Sequence, residues 1–410
     1  MSESILFKII IAVLLLQFAM ETLLNYLNAR RFGDAIPDEL NDVFDNEAYR
    51  KSQDYKHRNY RFGLISSVFS LLLTLGFLVL GGFEWADQLA LGVSSNPIIR
   101  ALVFFGVILL GSDLLSTPFS WYQTFVIEEK FGFNKTTPRL FILDKIKGWL
   151  LLFILGGGML ALIIWFYNWA GSSFWLYAWG IIALFSIVVN LLYSRLIVPI
   201  FNKQTPLEEG SLRDKIRSYA LDVGFELRHI YVIDGSKRST KANAYFSGFG
   251  REKRVTLFDT LLSDLNEDEI VAVLAHEVGH YKRHHILVNL FVSILLTGFT
   301  LFLLSVFINN PELSLAIGVS QPSFHAGLIG FGILYSPISE LTGLIMNYFS
   351  RKFEYQADDY ARKTYHSEPL ITSLKKLSKN SLSNLTPHPA YVFVHYSHPP
   401  LIKRILNLKA

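Results

Sequence analysis

The sequence predicts a mostly α-helical membrane protein, with seven spanning helices and a small α+β unit on the cytosolic side. Three observations carry this. Apolar residues make up 51% of the 410 residues and charged residues only 18%, the balance of a chain partly dissolved in lipid. Seven apolar stretches are long enough to cross a bilayer, at 4–27, 62–84, 100–122, 148–170, 174–200, 285–309 and 326–349. Basic residues alternate between the connecting segments: those after spans one, three, five and seven hold 7, 5, 13 and 10 of the 38 Lys and Arg, and those after spans two, four and six hold none.

By the positive-inside rule, the N-terminus is outside and the basic segments are cytosolic. A missed or invented span would scramble this alternation, so the charges also check the count. The first span has no basic N-terminal flank, and Arg30 and Arg31 follow it, so it reads as a retained anchor and not as a cleaved signal. Glu21, Asp113, Asn190, Asn289 and Glu340 fall inside spans. A carboxylate in hydrocarbon costs about 2.5–3.5 kcal/mol on insertion scales, so these groups are expected to hydrogen-bond between helices or face an interior that holds water.

The chain divides into 1–200 with five spans, a cytosolic α+β segment 201–284, spans six and seven over 285–349, and a cytosolic C-terminal segment 350–410. Within 201–284, Leu212–Val223 reads as an amphipathic helix. His229–Ile233, Val255–Phe258 and Asn243–Phe249 read as strands, from their β-branched and aromatic content. The net charge of +4 is too small to imply a nucleic-acid partner; the partner implied by composition is the lipid bilayer. The chain has no cysteine, so a metal site must use His and carboxylate.

Such a site is legible. Asn266 and Glu269 form a capping box that opens a helix running through His276-Glu277-Val278-Gly279-His280. Two histidines four apart stand one turn above each other, placing both imidazoles within reach of one tetrahedral Zn2+. Glu277 falls in the apolar stripe of Ile270, Val273, Leu274, Val278 and Tyr281, where an unpartnered carboxylate is costly. Beside a zinc-activated water it has a task, as general base. A catalytic zinc takes three protein ligands plus water. Glu354 and Asp358, four apart after the seventh span, are the best further donors: Glu354 as ligand, Asp358 as the acceptor that orients a ligand imidazole. By itself that segment is an ordinary charged helix, and its weight comes from pairing with the first motif.

With these motifs the sequence resembles the type 1 CAAX prenyl proteases, integral-membrane zinc metalloproteases. The likeness extends through 118–134, 202–210, 241–249, 257–261, 353–358 and 395–400, in family order along nearly the whole chain. The resemblance implies a seven-helix barrel enclosing a water-filled chamber, capped by the metalloprotease unit on the cytosolic side. It also implies one zinc per chain, held by His276, His280 and Glu354, with Glu277 as base. The substrate it implies is a protein bearing a prenylated cysteine, which loses its C-terminal tripeptide. Asn243 would sit on the strand that receives the peptide, and His398 would stabilise the oxyanion. Read by themselves, Asn243 is also an ordinary polar residue of an edge strand, and His398 also a residue packed beside Pro399. The chain ends soon after Arg404 without a retention-like tail, which points to a bacterial member in the inner membrane; in a eukaryote the membrane would be that of the endoplasmic reticulum. Protein prenylation is chiefly eukaryotic, so two other readings stay open: a quality-control endopeptidase acting on unprenylated membrane proteins, and a transporter or channel with a structural metal.

Overall fold

The computed structural model describes residues 2–227, 229–247 and 254–410. Among the described residues, six helical stretches are long and apolar enough to cross a membrane: Glu3–Ala29, Asn46–Val79, Pro97–Glu128, Pro138–Phe201, His285–Phe307 and Phe324–Thr364. The fourth covers two of the seven expected spans. It reverses at Gly171, whose φ of 56° no branched residue would adopt cheaply, through the 3₁₀ turn Gly171–Ser173. Its two arms then pack on each other, with the Trp169 and Tyr177 rings 5.2 Å apart.

The helices outrun the expected spans at several ends, beginning at Asn46 instead of 62 and Pro138 instead of 148 and running on to Glu128 instead of 122. Two further boundaries also differ. The second span ends at Val79 instead of 84, because Gly81 is left-handed and starts a separate helix, Gly82–Val93. That helix is tied to the loop after span six, where Ser320 N–H and Oγ both donate to Glu84 at 2.8 Å. The seventh span does not stop at 349. It continues unbroken into the expected ligand segment as one helix, Phe324–Thr364, since nothing between 337 and 364 breaks a helix.

Side chains pack densely at the two ends of the molecule. Leu40 and Phe44 from the segment after span one, and Phe131 and Phe133 from the segment after span three, share a core with Leu257, Leu274, Ile371 and Ile405. At the other end Phe83, Ala86, Ala316, Ile317 and Val319, from the segments after spans two and six, share a core with Ile10 and Phe104. The charge alternation and the packing therefore assign the same segments to the same end. Between them the spans are loosely packed, with 6–22% of residues buried along their most apolar 18 positions. Most side chains along the spans are therefore left uncovered by the rest of the chain, both on the faces that would meet lipid and on those turned toward one another. Polar groups within the spans bond between helices. Gln17 Nε2 donates to Ser336 Oγ and Glu340 Oε1, both at 2.8 Å, beside a cavity of about 630 Å³. Asp113 accepts from Lys145 Nζ at 2.8 Å and Trp149 Nε1 at 2.9 Å.

The α+β unit carries a four-stranded sheet: β1 (Gln204–Pro206), β2 (His229–Ile233), β3 (Ala244–Ser247) and β4 (Arg254–Phe258), in the order β1-β2-β4-β3. β2 and β4 run parallel, while β1 and β3 are antiparallel edge strands. β1 was not expected; three residues containing a proline carry too little strand signal. The third expected strand is β3, and Gly248, Phe249 and Gly250 lie outside the described residues. The expected helix over 212–223 is Ser211–Asp222.

At the end away from the sheet, fully buried Asp87 accepts a guanidinium fork from Arg100 and a bond from His325 Nε2 at 2.7 Å. Asp87→Ala leaves Arg100 uncompensated in a buried site, and we predict a loss of about 3–5 kcal/mol, read as a lower midpoint of thermal unfolding in detergent.

Candidate metal centre

Two helices that meet at one point build the site. The helix Glu267–Lys282 begins with the expected capping box: Asn266 Oδ1 accepts from Glu269 N–H at 3.0 Å, and Glu269 Oε2 accepts from Asn266 N–H at 2.8 Å. Lys376, on the neighbouring helix Ser367–Asn380, closes that end with an ion pair to Glu269 at 2.7 Å. Ile270, Leu274 and Val278 bury the inner stripe. The opposing helix is Phe324–Thr364, and the two touch where Gly279 meets Ala357.

His276, His280 and Glu354 converge there, with one donor atom of each lying within 4.8 Å of the others. The two Nε2 atoms are 3.2 Å apart. Glu354 Oε1 is 3.2 Å from His280 Nε2, and Oε2 is 3.5 Å from His276 Nε2. Ligands placed tetrahedrally at zinc's bond lengths to nitrogen and oxygen stand about 3.3 Å apart, so the spacing suits that ion. Glu354 Oε2 is buried and accepts no hydrogen bond among the described residues, which suits a carboxylate surrounded by cationic groups. Two imidazoles and a carboxylate also match the donor set of a zinc with one open position. On these observations the residues fit a metal ion.

Asp358 lies where the sequence suggested. Its Oδ1 is 2.9 Å from His276 Nδ1, so that nitrogen carries a proton and donates; in the neutral ring, the form that binds a metal, the Nε2 lone pair then faces the centre. Burial would lower the His276 pKa, but the bonds to Asp358 and Glu354 outweigh it and push it up to about 9. In chemical terms, the pocket attracts positive charge.

The sequence reading missed Arg404, on the short helix Leu401–Lys409. Its guanidinium forks onto Asp358, Nε to Oδ2 at 2.9 Å and Nη2 to Oδ1 at 2.6 Å, and Nη1 lies 3.4 Å from Glu354 Oε2. The signal that finds it is the one that found Glu277: Arg404 falls on the apolar stripe of Leu401, Ile405 and Leu408, and it is buried there.

The other site residues are placed as follows. Glu277 is half-buried, one residue beyond His276, and makes no hydrogen bond or ion pair among the described residues. His398 is largely exposed, with Nε2 3.2 Å from Glu354 Oε1. Asn243 does not touch the three converging residues. It is exposed at the start of β3, its carbonyl accepts from Phe258 N–H at 3.0 Å, and its Oδ1 accepts from Ala244 N–H at 2.9 Å. β3 packs on the Glu267–Lys282 helix and leaves its outer edge without a strand among the described residues.

Arg404→Met strands the Asp358 carboxylate and frees the His276 ring. Zinc affinity, measured by chelator competition, is predicted to fall about 10–100-fold.

Comparison with known proteins fits this geometry. A family model described as the CAAX prenyl protease N-terminal region, with five membrane helices, matches residues 25–203, and one described as peptidase family M48 matches residues 206–410. The chain is 35% identical over 414 residues to a CAAX prenyl protease 1 homolog of Oryza sativa subsp. japonica, covering 98% of this chain and 96% of that protein. It is 34% identical over 420 residues to CAAX prenyl protease 1 of Saccharomyces cerevisiae, covering 96% and 92%. The crystal structure of S. mikatae Ste24p superposes with a TM-score of 0.94 at 34% identity, covering 99% of both chains. These relatives are eukaryotic, and none supports the expectation of a bacterial membrane.

Proposed function

This chain belongs to peptidase family M48 and is a membrane-embedded metalloprotease acting on peptides or proteins, and from that premise we propose that one zinc ion and five side chains cleave near the C-terminus of a prenylated substrate. The observation that carries this is the convergence of His276, His280 and Glu354 beside a partly accessible Glu277 that makes no hydrogen bond or ion pair among the described residues.

His276, His280 and Glu354 hold the zinc, which when bound supplies Lewis acidity toward the scissile carbonyl and the attacking water. Asp358, gripped by Arg404, keeps the His276 ring turned toward the centre. Glu277 takes a proton from the water and later returns it to the departing amine. His398, at the exposed rim, donates from Nε2 to the oxygen that gains charge as the carbonyl becomes tetrahedral. The free edge of β3, beginning at Asn243, receives the substrate as an added strand through backbone bonds that read little side-chain identity.

The positive-inside pattern supports a cytosolic position for this chemistry, and the eukaryotic relatives favour the endoplasmic reticulum membrane. The apolar side chains that the spans leave unburied could meet a prenyl chain on the substrate cysteine. Strand addition alone would accept unprenylated peptides too, and that property favours the quality-control reading as the second one. The assembled metal group and the family replace the transporter reading.

Matched farnesylated and bare peptides distinguish the two. Zinc-dependent release of a C-terminal tripeptide from the farnesylated peptide alone is expected; equal cleavage of both, at internal bonds, would favour quality control. Glu277→Gln should retain zinc and lose roughly 10²–10⁴ in kcat. Full turnover by the zinc-loaded Gln variant would remove Glu277 from the mechanism.

A further inference from the structure

The two ligand histidines are held differently. His276 has a carboxylate on its Nδ1, whereas the Nδ1 of His280 lies 3.0 Å from His285 Nδ1. His285 is buried, and its Nε2 is 2.8 Å from Gln356 Oε1. Its ring stacks on Phe353, with centroids 4.2 Å apart and planes inclined by 10°. Gln356 lies on the same helix as Glu354 and Asp358, between them in sequence.

We propose that His285, set by Gln356, is a positioning residue that fixes the tautomer and ring plane of His280. The order of protons along the chain follows from its ends. The Gln356 carbonyl oxygen only accepts, so His285 Nε2 carries a proton. A neutral His285 then presents Nδ1 as an acceptor. His280 Nδ1 must donate to it, which leaves the His280 Nε2 lone pair facing Glu354 and the metal position. The opposite amide orientation reverses every bond and puts a proton on His280 Nε2, where it would block ligation. Metal binding and this orientation of Gln356 therefore require each other.

The backbone explains why motif spacing does not reveal the pair. At about 100° per residue, a continuous helix would carry residue 285 about 140° around from residue 280. The chain instead breaks at His284, which adopts φ 59°, and span six restarts at His285 with its ring turned back onto His280. The short junction between the metal-site helix and the membrane helix is thus also part of the ligand shell. One long helix supplies a ligand, the orienter of His276 and the end of the relay to His280, so it sets the aim of both imidazoles.

This inference rests on His280 being a zinc ligand, as proposed above. The experiment compares zinc affinity, by chelator competition on the purified full chain, in wild type, His285→Phe, His285→Asn and Gln356→Leu, with circular dichroism and thermal unfolding as folding controls. Phe keeps the stack on Phe353 but has no acceptor, and it is expected to weaken zinc binding about 10–100-fold. Asn keeps an acceptor and loses the stack, and it is expected to stay close to wild type. A packing role predicts the reverse order, and wild-type affinity in the Phe variant would overturn the proposal. Should the Phe variant fail to fold, Gln356→Leu decides: weakened binding supports the relay and unchanged binding refutes it. Failure of the wild type to bind zinc would instead bring down the metal-centre reading itself.

Discussion

The site depends on how closely two helices approach at Gly279. A β-carbon there would stand 3.0 Å from Ala357 Cα and 3.1 Å from both the Ala357 carbonyl oxygen and Tyr360 Cβ. Those neighbours are mostly backbone and cannot swing away, so any larger residue would push the helices apart. A glycine inside a helix costs about 1 kcal/mol relative to alanine. Here it permits contact between a helix carrying two imidazoles and a helix carrying a carboxylate, three positions from His276 and one from His280. The contact is what makes the donors of His276, His280 and Glu354 one group.

The partner helix gives this contact its reach into the membrane. Phe324–Thr364 runs without interruption from the far end of the molecule, through the bilayer region, to the metal-binding end. Its first turn lies in one packed end, with Phe324 and Ala326 buried, and its last turns lie in the other, with Ala357 and Ala361 buried. The two ends are dense and the middle is loose, so this helix links two packed ends through a stretch of low burial. The acids inside the spans conform to this: Glu340 and Asp113 are each satisfied by a neighbouring helix, and neither requires a role in the chemistry.

Much of this was legible in the sequence, for identifiable reasons. The spans followed from length and charge placement, because lipid leaves few options for a run of about 20 apolar residues. The metal-site helix followed from its capping box and from Glu277, a carboxylate out of place on an apolar stripe. The approach of Glu354 and Asp358 to the two imidazoles followed from their spacing once a third donor was sought. What spacing does not encode was less accessible. The seventh span merges with the ligand helix because no breaker separates them, and the absence of a signal is easily read as a boundary. The short edge strand β1 draws its order from pairing with β2. His285 is brought to His280 by a left-handed residue at 284, and although His is among the residues enriched in that conformation, few histidines adopt it, so the sequence signal is weak. Arg404 carried the same misplaced-charge signal as Glu277, forty-six residues beyond Asp358, but had no motif to draw notice to it.

Charge gives the site its balance. Two carboxylates, Glu354 and Asp358, are buried together, and Arg404 offsets part of their charge. The remaining deficit is what a divalent ion bound to His276, His280 and Glu354 would fill. X-ray absorption at the zinc edge of the purified protein tests this most directly. The account predicts a first shell of about four light atoms at about 2.0–2.2 Å, with the outer scattering pattern of two imidazoles and one carboxylate, and loss of the carboxylate contribution in Glu354→Ala. A zinc shell lacking imidazole scattering, or one unchanged by Glu354→Ala, would contradict it.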